Sequence, residues 1–520
     1  MASQKFPVGI QSFPWIIRNG YTYVDKTRYI PMLLNKGKAI FLSRPRRFGK
    51  SLLLSTLESF FEGRRELFKG LAIDRMDMDW TPSPVLHFDF NNGIYTIPDG
   101  LLTRLHHSLE KYEKEYGVPV GNARQEEMPI RFERLIHEVY LKTGREVVIL
   151  IDEYDKPMLA IEENREIFES NQILLKGFFS NLKTMDSYIR FAFITGVARF
   201  SKVSIFSDLN HLDDISLTDA YADICGLTEE ELVGSFRNGI EELAQKRGES
   251  FNQLIGVLRS YYDGYLFAPE GSRLYNPFSV LKALSDKDIA PYWFDSATPT
   301  FLVQRIRNKG VDPRDINQRK CTKSQLMQVG MESYDPVPLM FQTGYLTIDS
   351  YDSIRQRFTL RFPNREVEIG FADQLLPLYM KGVNESDSPF SLFSFQDDLY
   401  DGHPSYFMER LSTFFKDLPG EDHQESTYRA VTYLLCKLCS LDSRAEQRSY
   451  KGRSDMEVFT TDYIYIFEFK YNRSVKEAME QIQNRDYAGR YALDHRKIFL
   501  IAANLRNKEG DRKLEYKIID

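Results

Sequence analysis

The stretch Ala39-Ile40-Phe41-Leu42-Ser43-Arg44-Pro45-Arg46-Arg47-Phe48-Gly49-Lys50-Ser51 has the residue types and spacing to hold a polyphosphate. An apolar run that reads as a strand enters a short basic loop. The loop closes on Gly49-Lys50-Ser51, and a helix-like pattern follows at Leu52, Leu53, Leu54 and Leu57. This is the layout of a P-loop. Backbone N–H groups at a helix N-terminus, with the helix dipole behind them, attract phosphate. Gly49 lets the backbone come close, Lys50 reaches the β- and γ-phosphates, and the Ser51 hydroxyl sits on Mg2+. Arg46, Arg47 and Phe48 complete the loop around the nucleotide. The general pattern is G-x-x-x-x-G-K-[ST], and its first glycine is absent: Arg44 stands there, followed by Pro45. The opening turn must therefore differ. The ligand this implies is a nucleoside triphosphate, ATP, with Mg2+; the bland alternative is a chance Gly-Lys-Ser in a surface turn.

The elements around the loop argue against chance. Val147-Val148-Ile149-Leu150-Ile151 is a continuous apolar run, as in a strand buried on both faces of a parallel sheet. It ends in Asp152-Glu153, where open α/β sheets bind their ligands. Asp152 is the candidate Mg2+ ligand, directly or through water, and Glu153 the candidate base for the attacking water. A third strand, Phe191-Ala192-Phe193-Ile194, ends in Thr195-Gly196 and leads to Arg199 and Lys202. Thr195 is a candidate for the γ-phosphate or the water. Arg199 is a candidate arginine finger, in cis or toward a neighbouring subunit, against the reading of an ordinary surface arginine. Self-association thus stays open. Val85–Phe90 alternates with period two, as in a half-exposed edge strand.

Residues 1 to about 380 resemble the bacterial AAA-ATPase-like family. The resemblance rests on Phe6-Pro7-Val8-Gly9-Ile10-Gln11-Ser12-Phe13, Tyr23-Val24-Asp25-Lys26-Thr27, the loop Ser43–Ser51, Ile151-Asp152-Glu153-Tyr154-Asp155-Lys156-Pro157, Ile194-Thr195-Gly196-Val197-Ala198-Arg199-Phe200-Ser201-Lys202 and Tyr262-Asp263-Gly264-Tyr265. The Arg-Pro-Arg-Arg-Phe-Gly-Lys-Ser loop is that family's own version. The family is named for its fold and nucleotide site, not for a substrate.

A second constellation lies near the C-terminus. Gly452-Arg453-Ser454-Asp455 precedes the strand-like Tyr463-Ile464-Tyr465-Ile466-Phe467, which runs into Glu468-Phe469-Lys470. Strand side chains alternate faces, so Glu468 and Lys470 share one face and Phe469 turns into the core. Asp455, on an adjacent strand, brings a second carboxylate to Glu468. Two acids that hold Mg2+, with a lysine beside them, suit phosphodiester hydrolysis. The segment resembles the PD-(D/E)xK nuclease superfamily, in the version fused behind the ATPase family above. Ser454 stands where the name has proline. The resemblance makes Glu425 a candidate further metal ligand and turns Gln481, in Ala478-x-x-Gln481-Ile482, toward the site. An E-x-K alone is common in half-exposed strands, and the fold can also serve as a module that binds without cutting.

The chain of 520 residues has 42% hydrophobic and 13% aromatic residues, enough for full cores in about three domains. The expected architecture is α/β. A P-loop, AAA-like parallel-sheet domain spans 1–225, a helical lid with a winged-helix-like connector 226–383, and a restriction-endonuclease-like domain 390–520. Asn384–Pro389 reads as a linker. Thr228 with Glu231 forms a capping-box signal at the start of the lid. No apolar run reaches membrane-helix length and Met1–Phe6 offers no signal-peptide core, so a cytoplasmic protein without a membrane partner is expected. Cys436 and Cys439 form a C-x-x-C inside an apolar helical run and read as core rather than as zinc ligands. Net charge is −6; residues 421–520 carry 18 Lys+Arg against 17 Asp+Glu, a net of +1, which leaves −7 for the rest. A nucleic-acid surface must then be local, with Arg444, Arg448, Lys451 and Arg453 as candidates and a solvated charged strand as the equal alternative. Two functions remain from these features: an ATP-hydrolysing switch on a metal-dependent nuclease, or a nucleotide-dependent regulatory protein whose C-terminal domain binds without cutting.

Overall fold

A computed structural model of the chain describes residues 4–161, 164–200, 205–206, 209, 211–294, 316, 318–327, 335–379, 392–416, 418, 424–449, 452–508 and 511–520. Ser201, Lys202, Lys451 and the 384–389 linker lie outside the described residues. The chain divides into two units, Met1–Leu302 with Lys320–Asn364 and Val303–Arg319 with Arg365–Asp520.

The first unit is built on a parallel sheet of β1 (Ala39–Ser43), β2 (Val85–Asp89), β3 (Val147–Asp152), β4 (Ile189–Gly196) and the short β5 (Asp213–Asp214), in the order β2-β3-β4-β1-β5. β1 and β3 are buried along their whole length, as their unbroken apolar runs require. β2 takes the edge, as its alternation predicts. β1 feeds the helix Lys50–Phe61, and β3 brings Asp152 to the same end of the sheet. The helices Glu229–Arg247, Phe251–Tyr262 and Pro277–Asp286 share one apolar cluster centred on Phe236, Leu258 and Val280. The capping box is formed: Thr228 Oγ1 accepts the Glu231 N–H at 3.2 Å, and Glu231 returns a carboxylate to the Thr228 N–H at 3.0 Å. The same carboxylate takes the Lys26 ammonium at 2.6 Å, which ties the lid to the Asp25-Lys26-Thr27 segment. Gly264 lies at φ +103°, where a Cβ would come within 2.1 Å of the Pro363 carbonyl oxygen, so only glycine fits this turn. A small antiparallel sheet follows, β6 (Lys320–Thr322), β7 (Thr347–Asp352) and β8 (Arg357–Arg361), with β8 in the middle.

In the second unit, β9 (Asp442–Ala445), β12 (Met456–Phe459), β13 (Tyr463–Tyr471), β14 (Lys497–Lys508) and β15 (Asp511–Ile519) form a mixed sheet. β10 (Arg448–Ser449) and β11 (Gly452–Arg453) make a separate two-stranded ribbon. β13 is central, parallel to β14 and antiparallel to β12. Ile464 and Ile466 pack with the helix Val475–Asn484 on one face. On the other face Tyr465 donates to the Leu399 carbonyl and the Phe467 ring meets Phe407. The helix Arg365–Tyr379, expected within the connector, belongs to this unit: Glu368 pairs with Lys437 of the helix Glu425–Leu438 at 2.5 Å. Cys436 and Cys439 are buried, and burial pushes the Cys439 thiol up to about 12. Among the described residues no helix is long and apolar enough to cross a membrane.

Candidate functional site

Gly49, at φ +94°, is the N-cap of the helix Lys50–Phe61, a left-handed turn that glycine makes without penalty. The Lys50 side chain is 3% exposed and folds back over its own loop. Its Nζ donates to the carbonyls of Arg44 (3.0 Å) and Pro45 (3.2 Å) and lies 3.1 Å from Glu153 Oε1. Ser51 donates to Asp152 Oδ2 at 2.5 Å, and Thr195 donates to Asp152 Oδ1 at 2.6 Å. Both oxygens of Asp152 are thus oriented by hydroxyls. Glu153 holds φ +50°, a left-handed backbone that costs on the order of 1 kcal/mol in a non-glycine residue and turns its side chain out of the strand alternation.

Lys50, Ser51 and Glu153 open onto a cavity of about 590 Å3 that Arg47, Gly49, Tyr23 and Phe278 also line. That volume is within the range of roughly 300–1,000 Å3 typical of small-molecule sites, and its lining is both charged and apolar. The all-oxygen pair Ser51 and Asp152 suits a hard divalent cation.

The loop's other residues divide sharply. Arg47 is exposed and stacks over the Phe278 ring at 4.7 Å. Arg46 is half-buried, its carbonyl accepting the Trp293 Nε1–H at 3.4 Å. Phe48 is 1% exposed and packs edge-on against Tyr265 and Phe267, so its ring anchors the loop. Arg44, in place of the missing glycine, is also 1% exposed. Its guanidinium donates to the carbonyls of Ser43, Ser216, Tyr221 and Ala222 and lies 4.4 Å over the Phe267 ring. Burial lowers its pKa to about 10. The loop root is therefore fixed by a carbonyl-bound arginine rather than by a free turn.

Two expected residues stand apart from the cavity. Arg199 pairs with Asp214 of β5, its side chain 11% exposed, and lies over the Phe41 ring. A finger needs a guanidinium able to reach the γ-phosphate; this one is tied to the sheet. Thr195, fully buried, orients Asp152 instead of meeting a ligand. Asp155 is the residue whose weight the sequence understated. Its Oδ2 accepts the N–H groups of Val197 (3.0 Å) and Ala198 (2.5 Å), which joins the end of β3 to the end of β4. Burial, then the neighbouring Glu153, pushes its carboxyl up to about 7.

In the second unit Asp455 sits in the bend just before β12 rather than within a strand. Its Oδ2 accepts the Phe469 N–H of β13 at 2.8 Å, which draws it to the strand that carries the other acid. Glu468 is 1% exposed; its Oε1 takes the Lys470 ammonium at 2.7 Å, and its Oε2 is buried without a hydrogen-bond partner. Phe469 is buried and stacks on Phe467 at 5.9 Å, on the opposite face. Burial, then Asp455, pushes the Glu468 carboxyl up to about 7, against the opposing charges of Lys470 and Arg429.

Arg429, absent from the sequence reading, is the cation closest to Asp455, with Nη2 2.6 Å from Oδ1. Glu425 reaches Arg429 at 3.4 Å rather than the acids themselves. Their spacing of four on one helix was the available signal. Gln481 donates to the Tyr487 hydroxyl at 3.3 Å, and that hydroxyl donates to the Arg453 carbonyl. Of the basic candidates, Arg444 pairs with Asp442 and Arg453 with Glu446. Among the described residues no three His, Cys, Asp or Glu side chains gather as a metal cluster. The donor set is two carboxylates, one with an orphaned buried oxygen, and this fits a divalent cation that takes its remaining ligands from phosphate and water.

Comparison with known proteins agrees with both halves. Residues 7–206 match the family model described as predicted AAA-ATPase, and residues 423–515 match that of the PD-(D/E)XK nuclease superfamily. A protein of Azotobacter chroococcum mcd 1, described as an uncharacterized protein in vnfD 5'region, is 35% identical over 510 residues, which span 94% of this chain and 94% of that protein. With a P-loop at the end of β1, an acid at the end of β3 and a Glu-x-Lys strand later in the chain, the chain belongs to the predicted AAA-ATPase family and carries a C-terminal domain of the PD-(D/E)XK nuclease superfamily.

Proposed function

We propose that this chain hydrolyses ATP in its first unit and cleaves nucleic-acid phosphodiesters in its second, with ATP turnover controlling the cutting. The observation that carries the nuclease half is that Asp455 is drawn to the β13 backbone at Phe469, beside the Glu468–Lys470 pair, with one buried Glu468 oxygen left without a partner. In the first unit Lys50 exchanges its loop carbonyls for the β- and γ-phosphates. Asp152, steadied by Thr195, and Ser51 would hold Mg2+, which would supply charge to screen the phosphates. Glu153, 3.1 Å from Lys50 before nucleotide enters, is released to orient the attacking water.

In the second unit a divalent ion on Asp455 and Glu468 would polarise the phosphate and lower the pKa of bound water. Lys470 neutralises charge that builds on the phosphate and steers the water. Water attacks phosphorus, the bond to the leaving sugar oxygen breaks, and that oxygen takes up a proton.

Plasmid DNA incubated with the full chain, Mg2+ or Mn2+, and with or without ATP, tests the reading. Nicking or linearisation that needs the metal and changes with ATP supports it. ATP hydrolysis and DNA binding without cleavage under either metal would replace it with a nucleotide-dependent binding module.

A further inference from the structure

Asp455 and Glu468 are placed for a divalent cation, yet a cation of the protein's own already pairs with Asp455. Arg429 Nη2 lies 2.6 Å from Asp455 Oδ1, while Oδ2 is taken by the Phe469 N–H. The rest of the guanidinium is held loosely: Nη1 is 3.4 Å from Glu425, Nη2 is 3.6 Å from Glu446, and Nε is buried without a hydrogen-bond partner. The Arg429 side chain is 17% exposed, so it can reach solvent without unfolding its helix.

Two neighbouring buried carboxylates repel, and a buried charge left alone is costly. Arg429 offsets that charge and keeps Asp455 in register. A guanidinium on Asp455 Oδ1 competes with a divalent ion for that oxygen and weakens its binding, because the two positive charges would lie within a few ångströms of each other. A phosphodiester offers arginine the same two-oxygen geometry as a carboxylate. We propose that Arg429 is a placeholder cation, which holds Asp455 until nucleic acid binds, then moves to a phosphate oxygen and leaves Asp455 Oδ1 to the metal. The inference rests on the nuclease reading above. It makes Arg429 a positioning residue that couples metal loading to substrate binding.

The test is Mn2+ binding to the full chain without nucleotide, read from loss of the free-ion electron paramagnetic resonance signal. Binding that disappears in Asp455→Ala is assigned to this site. Arg429→Gln should bind Mn2+ there roughly tenfold tighter than wild type, the scale of one charge-assisted hydrogen bond no longer competing. A cleavage-resistant phosphorothioate DNA duplex should tighten Mn2+ binding to wild type and leave the Gln variant nearly unchanged. Equal Mn2+ affinity of the two proteins without DNA, or an equal gain with it, overturns the placeholder. If Arg429→Gln melts well below wild type, Arg429→Met takes its place: it keeps an unbranched stem without the charge, and the same tighter binding is required of it. Absence of any Asp455-dependent Mn2+ binding, with and without DNA, in wild type and variants alike would instead bring down the nuclease reading itself.

Discussion

In the first unit Asp152 is held by two neutral hydroxyls, Ser51 and Thr195; in the second, Asp455 is held by the Arg429 guanidinium and one backbone N–H. Each acid has a lysine-paired glutamate near it, Glu153 with Lys50 and Glu468 with Lys470. Lys50, however, opens a helix and reaches across to the end of another strand, whereas Lys470 stands two residues along the same strand. The hydroxyl-held acid is ready for a cation that arrives with its own phosphates. The arginine-held acid has its charge already balanced and must exchange one cation for another. The first site therefore depends on the loop, and the second on side chains already fixed to one sheet face.

The most damaging way to break the first arrangement is Lys50→Ala. It removes the ammonium that meets the phosphates, each charge-assisted contact being worth ~1.5–3 kcal/mol, and calorimetry should find no ATP binding. Wild-type affinity would show that the loop binds without its lysine. In the second unit Asp455→Ala and Lys470→Ala should each abolish DNA cleavage while ATP hydrolysis stays near wild type, because the two sites belong to different units. Cleavage by both variants at the wild-type rate would assign the cutting to another site.

Glu153→Gln sharpens the comparison. With Asp152 still held by its hydroxyls, ATP should bind, and turnover should fall by ~10²–10⁴-fold in a steady-state assay. An unchanged rate would move the role of positioning water to another residue. The smallest effect is expected of Asp155→Asn. The Asp155 carboxyl is pushed from 3.8 to about 7, so the native state holds its proton more tightly than the unfolded chain. Stability should then fall as pH rises through that window, by at most ~1.4 kcal/mol per pH unit, and the Asn variant should lose that slope. Urea unfolding at about pH 5 and about pH 7 reads it; parallel slopes in the two proteins would refute the assignment.

Local features carried most of the fold into view. The unbroken apolar runs of β1 and β3, the alternation of β2 and the Glu468-x-Lys470 pair each state a burial pattern within a few residues, and the sheets use them as written. What stayed hidden was the choice of partner for long charged side chains. Arg199 reads as a free arginine after a strand, but β5 brings Asp214 to it. Arg44 reads as a departure from a motif, but four carbonyls from distant turns collect on it. Arg429 precedes Asp455 by 26 positions on a different element, so no local pattern joins them. Such contacts are settled by tertiary packing, which single-sequence periodicity does not encode.

The burial of Arg44 has a chemical consequence. Three positions apart in the same loop stand a guanidinium that is 1% exposed and another, Arg47, that is open to solvent. An arginine-selective dicarbonyl reagent should modify Arg47 in the native protein at once and spare Arg44 until the segment 216–222 peels away from the loop root. The time course of Arg44 labelling by mass spectrometry would then be a clock for local opening of the nucleotide loop, with Arg47 in the same peptide as its internal standard.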